Sequence, residues 1–127
     1  MREIDRCAQK RQCVQDVLLE INIGRESSKS GFLPEQLPEA LAEAVNFGAV
    51  RVRGLMAIPP VSRGIDSNRP FFSEMDKLFV DIAGKKYDNI HMDFLSMGMS
   101  RDFQTAIACG ANIVRIGTAI FGERIYP

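Results

Sequence analysis

Along the chain the apolar positions switch repeatedly between strand-like and helix-like spacing, and each switch marks an element. Residues 17–23 alternate strictly: Val17, Leu19, Ile21 and Ile23 fall on one face, Leu18, Glu20 and Asn22 on the other, which predicts a strand. Three further short apolar runs, 51–58, 90–97 and 113–117, predict strands, the first of them stopped by Pro59 and Pro60. Helical spacing predicts a helix over 34–47, where Leu37, Leu41, Ala44 and Val45 form a stripe behind Pro34 in the first turn. It predicts another over 70–83, where Phe71, Phe72, Met75, Leu78, Phe79 and Ile82 share a face. A third runs from Ser100, a candidate cap with Asp102 well placed for the helix dipole, to Cys109. Gly48, Gly84 and Gly110 close the three. Residues 118–121 are expected to form one short helical turn. Residues 1–14 read as the end of a helix with no visible N-cap, with Ile4 and Ala8 on one side.

The order is one helix, then four strands alternating with three helices. Such alternation implies right-handed crossovers and a parallel sheet. A doubly wound open sheet and part of a (β/α)₈ barrel both satisfy it. The polar residues inside the strands, Glu20, Asn22, Arg51, Arg53, Asp93 and Arg115, favour the barrel. Central strands of an open sheet are near-continuous apolar runs, whereas a barrel can turn such residues inward to pair with one another. The fold expected is therefore α/β, a partial barrel of four parallel strands, formed as a single domain over 1–127.

Composition narrows the function classes. In 127 residues, 46% apolar and 25% charged, a folded core is expected rather than disorder. Sixteen basic and sixteen acidic residues cancel, so nothing favours nucleic acid or a membrane surface as a general partner. The polar start is no signal peptide, and a cytoplasmic location is expected. Three cysteines, Cys7, Cys13 and Cys109, and one histidine lack metal-ligand spacing, so the thiols read as free and no metal is expected.

The candidate chemistry lies at two strand ends. Ser96, Gly98, Met99 and Ser100 end the third strand, and Arg115, Gly117 and Thr118 end the fourth. Small residues there leave backbone N–H groups uncovered and hydroxyls add donors, which is the chemistry of an anion cradle, with phosphate the usual occupant. Ordinary helix capping by Ser100 and a tight turn at Gly117 would use the same groups. A phosphate site at the last two strands, beside a short extra helix, also matches the barrel rule.

Five stretches together carry a resemblance: VLLEINIG at 17–24, SKSGF at 28–32, RGLMAIP at 53–59, LSMGMS at 95–100 and VRIGTAIFG at 114–122. The chain resembles the C-terminal half of the pyridoxal phosphate homeostasis protein family, whose barrel is also that of the alanine racemase N-terminal domain. The resemblance implies strands five to eight of a fold-type III barrel, entered in the middle of the preceding helix. It implies pyridoxal 5′-phosphate as cofactor, with Ser100, Gly117 and Thr118 on the phosphate and Ser96, Gly98 and Met99 shaping the loop. Arg115 would face the pyridine nitrogen and, being unable to give up a proton readily, would weaken the ring as an electron sink. The family's Schiff-base lysine lies on the first barrel strand, which these residues do not include.

The expected function is thus that of a non-catalytic carrier in cofactor homeostasis. The rivals are a fragment of a fold-type III enzyme such as an amino-acid racemase, and a truncated product without function. No Cys/His or Tyr pair suits proton transfer. Lys29, in the loop after the first strand, reads either as a solvated side chain or as a spare amine for the cofactor. The bare face of a half-barrel is expected to show Leu18, Leu55, Ala57, Leu95, Val114 and Ile116, interleaved with Glu20, Asn22, Arg53 and Asp93. Such a face and two open edges call for a homodimer or for the missing N-terminal half-barrel.

Overall fold

A computed structural model describes residues 1–61, 64 and 66–123. Four parallel strands, β1 (Gln15–Ile21), β2 (Val50–Ala57), β3 (Ile90–Met99) and β4 (Ile113–Arg115), lie side by side in chain order. The helices α1 (Arg2–Lys10), α2 (Leu37–Ala44), α3 (Arg69–Ala83), α4 (Phe103–Ala108) and α5 (Thr118–Phe121) alternate with them. The α/β alternation is as the periodicity predicts. Part of the segment between the strand stopped at Pro59 and Pro60 and the helix expected from residue 70 lies outside the described residues.

Boundaries shift for local reasons. A 3₁₀ turn at Pro34–Gln36 precedes α2, because Pro38 has no N–H to give the Pro34 carbonyl, which accepts from Leu37 instead. α4 starts three residues later than Ser100, at Phe103. In α1 the buried residues are Asp5 and Ala8, while Ile4 is exposed. The Asp5 carboxylate accepts the Ala49 N–H at 2.8 Å, which docks α1 on the start of β2.

One hydrophobic cluster joins helices and sheet. Leu37 and Leu41 of α2, Phe72, Met75 and Ile82 of α3 and Ala106 of α4 pack on Leu19, Ile21, Val52, Leu55, Leu95 and Met97 of the strands. Ile23 is fully buried although it lies beyond β1, because the loop folds back there. Phe32 donates its N–H to the Glu20 carbonyl at 2.9 Å and accepts that of Asn22 at 2.8 Å.

The open face is not the expected one. Strict alternation would put Leu55 and Ala57 with Arg53, and Leu95 with Asp93. Two register slips prevent this. From Val52 to Gly54 the partner on β3 moves from Ile90 to Phe94, and on β1 it moves only from Val17 to Leu18. Each slip changes which face later residues meet. Leu55, Ala57 and Leu95 therefore join the core at 0%, 0% and 1% exposure, and Val114 packs against it. The open face carries an ion-pair ladder across three strands instead. Asp16 accepts from Arg51 at 2.7 Å and from Arg53 at 3.0 Å, and Arg53 reaches Asp93 at 2.6 Å. The Arg53 guanidinium also lies 5.2 Å from the centre of the Phe94 ring.

The slip depends on Gly54. A Cβ there would lie 1.8 Å from the Phe94 carbonyl oxygen, and its φ is +153°. Gly54→Ala is expected to lower stability by about 3 kcal/mol. Gly48→Ala, where a Cβ meets nothing within 4 Å, should change it by less than about 0.5 kcal/mol. Denaturant titration of the two variants checks the contrast.

The ladder makes stability depend on acid. The hydrogen bond from Arg51, aided by the charges of Arg51 and Arg53, holds the Asp16 carboxyl below the usual carboxylate range. Thr105 and then Arg69 do the same for Asp66. A carboxylate whose folded pKa is depressed contributes stability above its unfolded pKa and loses it as pH falls through the folded value. Melting temperature should therefore fall below the ordinary carboxylate range, and Asp16→Asn should flatten part of that fall in thermal melts across pH.

Candidate functional site

Parallel strands bring their carboxyl ends to one edge of the sheet, so the loops after β2, β3 and β4 meet there. They enclose a cleft of about 700 Å³ lined by residues within 58–61, 99–102 and 117–122, with Gly64 and Asn68. Of the residues predicted from sequence, Met99, Ser100, Gly117 and Thr118 line it; Ser96, Gly98 and Arg115 do not.

Ser100 ties the two strand ends together. Its Oγ accepts the N–H of Gly117 at 3.2 Å and that of Ala119 at 3.3 Å. The hydroxyl thus serves α5, across the cleft, rather than α4 as capping of its own helix would require. A Cβ on Gly117 would meet nothing within 4 Å, so the space beside these N–H groups is open. The loop holding Ser100 is fixed by Asp102, whose Oδ1 accepts the Met99 N–H at 2.7 Å. Its Oδ2 accepts from Asn68 Nδ2 at 2.7 Å.

Ser96 and Arg115 form a second group behind the cleft. Ser96 is 3% exposed, and its Oγ and carbonyl accept from Arg115 Nη1 at 2.5 and 3.3 Å. Arg115 Nη2 donates to the Ala57 carbonyl at 3.0 Å. The guanidinium therefore spans β2, β3 and β4. Burial pushes its pKa down, while the Glu20 and Asp102 carboxylates push it up. Arginine remains cationic under either influence. Of the acidic strand residues that could pair with Arg115, Asp93 is taken by Arg53.

Gly98 serves packing. With φ at +91°, its missing Cβ would stand 2.5 Å from that of Ala106, so glycine lets α4 close on β3. Lys29 is half-buried and partnered. Its Nζ pairs with Glu26 at 2.6 Å and donates to the carbonyls of Ile58 and Pro59 at 3.3 and 3.1 Å. These contacts tie the loop after β1 to the rim of the cleft.

Sequence reasoning did not single out Asn68. Its signal was present: an Asn directly before Arg69-Pro70 marks a helix start, and such residues orient neighbouring loops. Asp102 was recognised only for its charge near a helix N-terminus, not for holding Met99.

Comparison with known proteins places this geometry in a family. The family model for the N-terminal domain of alanine racemase matches residues 1–125, and the chain belongs to that family. It is 45% identical over 124 residues to a pyridoxal phosphate homeostasis protein of Aquifex aeolicus, covering 98% of this chain and 54% of the relative. A protein of the same name from Pseudomonas aeruginosa is 46% identical over 112 residues, covering 87% of this chain and 46% of the relative. Among solved structures, PipY of Synechococcus elongatus, with PLP bound, superposes with a TM-score of 0.80 at 26% identity, covering 95% of this chain and 55% of that one. An unknown protein from Bifidobacterium adolescentis gives a TM-score of 0.85 at 35% identity, covering 94% and 48%. The chain thus spans about half the length of these relatives.

Arg115→Met would leave the Ala57 carbonyl and the Ser96 hydroxyl without their donor. A loss of about 1–3 kcal/mol is expected, larger than for Arg101→Met, whose side chain is exposed. Chemical denaturation of both variants measures the difference.

Proposed function

We propose that this member of the alanine racemase N-terminal domain family binds pyridoxal 5′-phosphate by its phosphate group and acts in homeostasis of that cofactor without catalysing a reaction on it. The observation that carries the reading is the convergence at Ser100. One hydroxyl accepts from two N–H groups at the start of α5, and Thr118 and the open space beside Gly117 lie on the same cleft. The hydroxyls of Ser100 and Thr118, and the Gly117 and Ala119 N–H groups that now donate to Ser100, would turn to a dianionic phosphate. The names of the relatives and the PLP in PipY support the same ligand.

Within this reading each residue has a stated task. Ser100, Gly117 and Thr118 hold the phosphate, Met99 and Ser96 shape the loop, and Gly98 keeps it close to α4. Arg115 sets the charge behind the cleft and braces three strand ends. The bound cofactor would supply an aldehyde and an electron-withdrawing ring. Lys29 is held on the rim by Glu26, Ile58 and Pro59, so it serves as a brace and not as the amine for that aldehyde. Binding is therefore reversible and dominated by phosphate. In this reading the four strands form half of a closed eight-stranded barrel, and the ladder of Asp16, Arg51, Arg53 and Asp93 faces its interior.

Calorimetric titration with pyridoxal 5′-phosphate tests the proposal. Competition by inorganic phosphate is expected, and dialysis should remove the ligand. Ser100→Ala should weaken binding about tenfold, the loss of one charge-assisted hydrogen bond and of the hold on α5. Pyridoxal, which lacks the phosphate, should bind poorly. Equal affinity for pyridoxal and its phosphate would sink the assignment, and amino-acid racemisation above background would remove the non-catalytic part of it.

A further inference from the structure

We propose that Arg101 is the cation of this cleft and selects a dianionic phosphate there. The inference rests on the reading of Ser100, Gly117 and Thr118 as the contacts of a phosphate, and it adds a positive charge on the cleft itself.

The need for a cation comes from the charges present. Of the described residues that line the cleft, only Arg101 and Asp102 are charged. Hydroxyls and N–H groups supply hydrogen bonds and no net charge, whereas a phosphate monoester brings about −1.5 to −2 at pH 7. Asp102 adds one more negative charge. The neighbouring cations are committed elsewhere. Arg115 stands behind the cleft, with Nη1 on Ser96 and Nη2 on the Ala57 carbonyl. Lys29 is held by Glu26 and by the carbonyls of Ile58 and Pro59. Arg69 pairs with Asp66 at 3.2 Å.

Arg101 is placed differently. Its side chain is exposed, and among the described residues it has no hydrogen bond and no ion pair. The carboxylate next to it does not take it up. Asp102 Oδ1 accepts from Met99 and Oδ2 from Asn68, which turns that group toward the loop. In an extended strand Ser100 and Arg101 would point opposite ways. They lie instead in the turn after β3, and both line the cleft. A guanidinium one residue from the Ser100 hydroxyl therefore reaches a phosphate bonded there. Its planar fork gives a phosphate two parallel N–H···O bonds. Ordering a long exposed side chain costs rotamer freedom. A dianion offsets that cost better than a monoanion or a neutral group, and this difference is the selectivity.

Calorimetric titration of the chain with inorganic phosphate and with pyridoxal 5′-phosphate, at low and at high ionic strength, tests the proposal. Arg101→Met should weaken both ligands about tenfold at low salt, with an unchanged melting temperature. The loss should shrink at high salt, where an exposed charge is screened; a merely structural role would not produce that trend. Arg101→Lys should restore part of the affinity, since it keeps the charge without the fork. Arg101→Met binding both ligands as tightly as the parent chain overturns the proposal and leaves the proposed function standing. A loss for pyridoxal 5′-phosphate with none for inorganic phosphate also overturns it, because the arginine would then meet another part of the cofactor. A parent chain that binds neither ligand overturns both readings.

Discussion

The close approach of β2 to β3 at Gly54 governs this structure. With the Phe94 carbonyl where a Cβ would be, no other residue allows the two strands to slip as they do. The slip lets Val52 and Leu55, an odd number of residues apart, both face the helices, which regular alternation forbids. It therefore separates two populations that the sequence interleaves. Leucines and alanines go under α2, α3 and α4, and arginines and aspartates go to the opposite face. There the charges neutralise one another, so a face without helices is tolerable in water. Each exposed pair is worth little alone; together they cancel the charges of Asp16, Arg51, Arg53 and Asp93 within the face.

The same parallel arrangement makes the cleft. Loops from β2, β3 and β4 meet at one edge because all four strands point the same way, and ligands of α/β proteins bind at such carboxyl ends. Three side chains brace that edge from different directions. Ser100 reaches from the end of β3 to the start of α5. Arg115 reaches from β4 to Ser96 and Ala57, and Lys29 reaches from the loop after β1 to the end of β2. Each long or polar side chain satisfies carbonyls or N–H groups that strand ends leave unpaired. A group that braces the cleft is less free to react in it, which is why Lys29 and Ser96 serve geometry first.

Much of this was legible in the residues. The order of elements followed from the change of apolar spacing, and the polar residues within the strands pointed to side chains that pair with one another on the sheet. Small and hydroxylated residues marked the ends of β3 and β4, of which Met99, Ser100, Gly117 and Thr118 line one cleft. What alternation could not supply was the slip at Gly54, since a bulge is one residue's departure from a period and leaves the composition unchanged. Nor could the chain state that Ser100 serves α5 rather than α4, that Lys29 has three partners, or that Arg115 bonds to Ala57, 58 residues earlier. Those are contacts between segments distant in sequence, and they exist only once packing has set the distances. Local spacing and side-chain chemistry thus determined the elements; the faces, the contacts and the cleft were decided by how the strands pack.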